Sequence, residues 1–377
     1  MHTLFFSGRE SKPYRSFGTL CLLAFSALFV ACGASPTQSA GDIHGTSCPS
    51  TSQLQGAGST FDAPLFSKMF NAYALVSCGI RVTYLGSGSA AGMNALLSQS
   101  ADFAATDVPM TDAALARSQH GPILHIPITL GTEAIIYHVP GVSSQLKLTG
   151  PVLADIFLGT VAAWDDPAIS HLNPGVSLPH LPITVVYRTD GSGTTGIFTR
   201  YLSQVSPAWK TKVGASVSVN WPVGVGFRGN GGVATGVQSI DGAIGYVELS
   251  YALNLQLPYA ILLNAAGHYV VPSIKGAQEA AASTPDVPSD LRFFIVNAPG
   301  ADAYPISGYS WVIVYRQQDD AEKGVALANL FWWMIHGGQS YASPLRYAPL
   351  SSMMVNSSEA QIRAMTCGSA HTPCYKG

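Results

Sequence analysis

Three short loops of glycine, serine and threonine, each set directly before an amphipathic helix, constrain this chain most. They are Gly56-Ala57-Gly58-Ser59-Thr60-Phe61, Gly86-Ser87-Gly88-Ser89 and Asp190-Gly191-Ser192-Gly193-Thr194-Thr195. After the first, Leu65, Met69, Phe70 and Tyr73 recur at helical spacing, and Ile80, Val82 and Tyr84 then alternate as a strand. After the second, Met93, Leu96 and Leu97 mark a helix, and a short strand over 103–106 ends at Asp107. Ile183-Thr184-Val185-Val186-Tyr187 reads as the strand before the third loop, and Ile197, Phe198, Tyr201, Leu202 and Val205 as the helix after it. A strand over 310–315 leads to a helix through Val325, Leu327, Leu330, Phe331 and Met334, stopped by Gly337-Gly338. No fixed-period repeat occurs. The alternation predicts an α/β fold with helices on both faces of a sheet.

The loops share one chemistry. Glycine lets backbone approach a ligand closely, Ser and Thr cap the helix, and the free N–H groups of the first turn carry a partial positive charge. Three such ends converging would hold an oxyanion with few cationic side chains. That suits a chain with 11% charged residues, against about 25% in an average soluble chain. The formal net charge of −2 excludes a protein held on nucleic acid by charge. No loop has the Lys of a phosphate-binding NTPase motif, and no Gly-x-Ser-x-Gly elbow or His-Glu-x-x-His pair occurs. Gly224-Val225-Gly226-Phe227-Arg228-Gly229 spells a dinucleotide pattern but follows Trp221-Pro222 without a clear preceding strand. No catalytic residue, metal or cofactor is expected.

The first 31 residues read as an export signal. Arg9, Lys12 and Arg15 precede an uncharged apolar run over 17–31, too short to span a bilayer. The end of that run, Leu28-Phe29-Val30-Ala31-Cys32, resembles the lipobox of bacterial lipoproteins, which implies lipidation of Cys32 and a flexible tether over 32–47. Cys48, Cys78, Cys367 and Cys374 remain as an even set in an oxidising compartment. They allow three pairings, of which the local ones, Cys48 with Cys78 and Cys367 with Cys374, are favoured. The low charge also points to an acid-exposed periplasm or cell surface, because few Lys and Arg limit self-repulsion once carboxylates are protonated.

Taken together, Gly-Ala-Gly-Ser-Thr60-Phe61, Gly88-Ser89, Asp102-Phe103-Ala104-Ala105-Thr106-Asp107 and Arg188-Thr189-Asp190-Gly191-Ser192-Gly193-Thr194 closely resemble the phosphate-binding proteins (PstS family) of the bacterial phosphate-specific ABC transporter. Asp155-Ile156-Phe157-Leu158-Gly159, Trp164-Asp165-Asp166-Pro167-Ala168-Ile169, Leu172-Asn173-Pro174-Gly175 and Gly242-Ala243-Ile244-Gly245-Tyr246-Val247-Glu248 are similar too. The likeness runs from about Gly56 to past Phe331 and is poor from about Gln339.

The resemblance implies a two-lobed periplasmic-binding-protein fold of type II kind, closing by a hinge over one phosphate. Lobe 1 would be 48–127 plus 300–377 and lobe 2 would be 128–299. It implies donors from Thr60, Phe61, Ser89, Ser192, Gly193 and Thr194, a guanidinium from Arg188 held by Asp190, and an acceptor at Asp107. That carboxylate accepts an O–H from HPO4 2− or H2PO4 −, whereas sulfate has none to give and would meet it lone pair against lone pair. The implied partners are inorganic phosphate, the permease and ATPase of an ABC importer (a PstSACB-type complex), and a membrane reached through the lipid anchor. Two other readings of the same fold are a phosphatase and a phosphate-responsive surface sensor or adhesion protein. Two positions depart from the pattern. Asp62 stands where Pro is usual, with the expectation that it caps the first helix, competes with the ligand or points to solvent. Tyr187 stands where a second Arg is common.

Overall fold

Each Gly-Ser-Thr loop sits at the carboxyl end of a sheet strand, so the loops are brought together by strand pairing rather than by their own sequence. The protein is described by a computed structural model over residues 51–377, residues 143 and 285 excepted. The signal, Cys32, the tether and Cys48, with its pairing to Cys78, lie outside the described residues. No helix among the described residues is long and apolar enough to cross a membrane.

Strands β1 (Gln53–Gly58), β2 (Arg81–Gly86) and β3 (Phe103–Thr106) are parallel, with β1 in the middle. They are joined by helices α1 (Ala63–Val76) and α2 (Ser89–Leu97). The helix α1 buries Leu65, Phe66, Met69, Phe70 and Tyr73 on one stripe, the spacing that gives a helix an apolar face. Strand β4 (Ile123–His138) is the long element of the sheet. Its first part pairs antiparallel with a late strand, Ser307–Tyr315, and its last part, 133–138, pairs antiparallel with Ala243–Glu248. In chain order, β5 is Thr184–Arg188, β6 is Val225–Phe227, β7 is Ala243–Glu248 and β8 is Ser307–Tyr315. The eight strands run β2-β1-β3-β8-β4-β7-β5-β6 across one mixed sheet. Strands β7 and β8 are buried along their whole length, as expected where helices cover both faces.

Two further loop-to-helix turns follow β5 and β6, into α3 (Gly193–Val205) and α4 (Gly229–Ser239), and α5 (Leu249–Asn254) follows β7 directly. Apolar side chains gather in separate clusters. One takes residues from 54–130 and from 277–374, including Ala277, Leu291 and Phe293. The others are built from Ile135, Phe157, Phe198 and Tyr246, and from Ala134, Val186 and Val237. Strand β4 supplies residues to all of them. The chain ends in α6 (Ala321–Ile335) and α7 (Ser352–Arg363), with Cys367 and Cys374 joined by a disulfide. Between these helices Gln339 ties the segment down: its amide donates to the Ile128 carbonyl at 2.9 Å and its Oε1 accepts from Leu350 N at 2.8 Å.

Candidate anion site

The three loops converge. At the first, Gly58 adopts φ 139° and Ser59 N donates to the Ala105 carbonyl of β3 at 2.9 Å. Gly88 caps α2 at φ 96°, a conformation that favours glycine; a Cβ there would lie 2.5 Å from Asp190 Oδ2. At the third loop Ser192 caps α3, its Oγ accepting from Thr195 N at 3.1 Å. Ala90 N donates to the Gly191 carbonyl at 3.0 Å, which locks the second loop onto the third.

Every sequence-predicted anion contact falls in one hydrogen-bonded cluster. Ser89 Oγ accepts from Gly193 N at 3.1 Å and from Asp107 N at 3.4 Å. Phe61 N donates to Ser59 Oγ at 2.9 Å, and Ser59 Oγ donates to Asp107 Oδ2 at 2.6 Å. Arg188 is bidentate to Asp190, with Nε to Oδ1 at 2.7 Å and Nη2 to Oδ2, and its Nη1 reaches Thr194 Oγ1 at 3.5 Å. Arg188 is the only Lys or Arg among the buried described residues. An aromatic stack supports it from below: Phe198 lies on Tyr246 at 4.3 Å, and the Tyr246 hydroxyl accepts from Arg188 N at 3.3 Å. Tyr187, in place of a second cation, stacks on Trp221 at 5.2 Å.

The electrostatics follow from one buried cation among several acids. Burial works to raise Asp190, but its bonds to Arg188 override it and leave the carboxyl below its usual value. Asp107 is pushed up to about 6 by burial, against donors Ser59 and Ser310 and the charge of Arg188. Asp62 does not behave as the sequence suggested. It is fully buried, makes no cap hydrogen bond and instead contacts Ser310 Oγ at 2.5 Å. Solvent is out of its reach because β8 passes beside it.

Five more polar residues complete the cluster. Asn230 Nδ2 donates to Thr60 Oγ1 at 3.0 Å and to Thr194 Oγ1 at 3.2 Å, tying the first loop to the third. It lies in the first turn of α4, in Gly229-Asn230-Gly231-Gly232, a glycine-rich helix start whose signal was readable. Ser310 lies in β8, and Glu133 and Glu248 are paired residues of β4 and β7; nothing in their local sequence marks them. Glu248 Oε2 accepts from Ser250 N at 2.9 Å and from the Tyr347 hydroxyl at 3.0 Å, while Oε1 has no partner. Both Glu133 carboxyl oxygens are unpartnered, and burial first, then the charge of Asp107, pushes that acid well up. Tyr347 comes from the segment beyond Gln339 and also reaches the Phe61 carbonyl at 2.6 Å. A buried cluster with one guanidinium, paired with Asp190, several N–H and O–H donors and an acceptor at Asp107 has the chemistry to hold a small protonated oxyanion.

The chain is similar to several known proteins. Residues 45–334 match the family model described as a PBP superfamily domain. The phosphate-binding protein PstS of Xylella fastidiosa (strain Temecula1) is 38% identical over 358 residues, 92% of this chain and 97% of that protein. That of Pasteurella multocida is 38% identical over 310 residues, 82% of this chain and 89% of the other. Among solved structures, a high-affinity periplasmic phosphate-binding protein bound with phosphate superposes with a TM-score of 0.65 at 20% identity, covering 82% of this chain and 93% of that one. That last likeness carries the two-lobed periplasmic-binding fold, and the sequence identities carry the family. The chain belongs to the PBP superfamily and, within it, to the PstS family of phosphate-binding proteins.

Proposed function

We propose that this protein binds inorganic phosphate outside the cytoplasmic membrane and delivers it to an ABC-type phosphate importer, without chemistry on the ligand. The observation that carries the reading is Asp107: a carboxylate with 1% exposure, set where three helix N-termini and Arg188 converge. The donors at Thr60, Phe61, Ser89, Ser192, Gly193 and Thr194 would take the phosphate oxygens, and Arg188, aimed by Asp190, would neutralise charge. Asp107 would accept the proton that phosphate carries and sulfate lacks. The ligand would enter between lobes 48–127 plus 300–377 and 128–299, with β4 as their common strand. In this reading Cys32 carries the lipid anchor, and a permease with its ATPase subunits forms the partner complex. The groups facing the anion are donors and one acceptor, which supports a receptor over a phosphatase.

The test is calorimetric titration of the mature protein with phosphate and then sulfate, repeated on Asp107→Asn. Phosphate binding with sulfate ignored, and a preference narrowed in the variant, is expected. Loss of one charge-assisted bond is worth about 1.5–3 kcal/mol, roughly ten- to 150-fold in Kd. A folded wild type that gives no heat with phosphate would refute the reading.

A further inference from the structure

Ser310 Oγ lies 2.5 Å from Asp62 Oδ2, 2.8 Å from Asp107 Oδ1 and 3.2 Å from the Thr106 carbonyl. A hydroxyl carries one hydrogen. Two carboxylate oxygens this close cannot both receive it, so one of the two acids must supply a hydrogen of its own. Otherwise two lone pairs would face each other at hydrogen-bond distance.

The surroundings decide which acid holds it. Asp107 has compensation: Ser59 Oγ donates to its Oδ2, and Arg188 and Ser89 act on it favourably. Asp62 has little. Its Oδ1 is buried without a partner, and its leading charged neighbours are Asp107 at the end of β3 and Glu248 at the end of β7, both acids. Tyr84 of β2, Tyr251 of α5 and Tyr347 are near enough to feel its charge, but their hydroxyls donate to the carbonyls of Ser59, Thr60 and Phe61. The proton therefore sits on Asp62.

We propose that Asp62 is a positioning residue for ligand selection: as the neutral acid it donates to Ser310 Oγ, which donates to Asp107 Oδ1, keeping Asp107 ionised with a lone pair for the O–H of the bound anion. The inference rests on the phosphate-binding reading. The Asp62–Ser310–Asp107 chain holds one proton and one negative charge. As pH rises and that proton leaves, a second negative charge appears beside the anion and affinity falls. Asp62→Asn keeps the shape and a donor hydrogen but has no proton to lose.

The experiment is calorimetric titration of the wild type and Asp62→Asn with inorganic phosphate from about pH 6.5 to about pH 9, above the value of about 6 at which Asp107 itself takes a proton. Two buffers of different ionisation enthalpy at each pH count the protons exchanged. At the acidic end the two Kd values should agree within about threefold. Toward alkaline pH the wild-type Kd should climb up to about tenfold more per pH unit than that of the variant, with greater proton uptake per phosphate. Equal slopes and equal proton counts, with both proteins binding, would overturn this inference and leave the receptor reading intact. No binding by either folded protein would overturn both. If Asp62→Asn does not fold, the wild type decides alone: proton uptake no greater than the ligand's own ionisation overturns the inference.

Discussion

Glu248→Gln tests whether the buried acids make this fold sturdier as pH falls. Glu248 is fully buried at the start of α5, its Oε2 held by Ser250 and Tyr347 and its Oε1 without a partner. Burial is the main cause that moves the acid from 4.5 to about 8, with the Ser250 and Tyr347 bonds opposing and the charge of Asp107 assisting. A folded-state value above the unfolded one means the native protein holds a proton that the unfolded chain has released. The stabilisation is complete below about pH 4.5, declines as pH rises through that window and is gone above about pH 8. At about 1.4 kcal/mol per unit, the window spans on the order of 5 kcal/mol. For a chain of this size that is roughly 10 °C in melting temperature, at about 2 °C per kcal/mol.

Gln mimics the protonated acid and has nothing to titrate. Between about pH 5 and about pH 8 the wild-type melting temperature should therefore fall roughly 8 °C more than that of the variant. The comparison must be a difference, because Asp62, Asp107 and Glu133 are raised in the same sense. His125 runs the other way. Burial lowers it to about 4, so its contribution is lost as pH falls from its ordinary 6.5 through that value. Melting curves by circular dichroism over this range decide the matter. Parallel profiles for the two proteins would show that Glu248 is not held neutral, and the reasoning from burial would fail.

Two further substitutions probe the site's assembly. Gly193→Ala places a Cβ 2.5 Å from both Asp107 Oδ2 and Ser89 Oγ. Overpacking of this kind costs about 1–3 kcal/mol, so phosphate Kd should rise roughly five- to 150-fold. Its melting temperature should fall too, because the same clash strains the folded protein and the gain in helix propensity offsets it only in part; unaltered Kd and melting temperature would mean the loops do not close as described. Asn230→Ala removes the donor shared by Thr60 and Thr194 and leaves Glu248 N, which it accepts at 3.0 Å, buried and unpaired. Thermal melts should show about 1–3 kcal/mol lost, accompanied by weaker phosphate binding in the same titration.

Much of this protein was legible from local pattern. Strand, polar loop and helix recur because an apolar period and a Gly-Ser-Thr turn act within a few residues. The helices through Leu65 and Ile197 lie where spacing put them. The placing of Ser89, Ser192 and Gly193 at helix N-termini was equally readable, since a helix start exposes its donors whatever the rest of the chain does. Asn230 carried the same signal, hidden by a resemblance to a dinucleotide loop.

The charge state of the buried acids was not local. Asp62 meets Ser310 across 248 positions, and Glu133 stands opposite Glu248 only because β4 pairs antiparallel with β7. Read along the sequence, Asp62 is an ordinary helix-capping acid. Packed beneath β8, it becomes a group whose proton depends on burial and on neighbours from distant strands. Sequence determined which backbone ends could hold an anion, because capping and period act over one or two turns. Tertiary structure alone decided which acids beside it keep their protons, because desolvation and Coulomb interactions depend on distance in space.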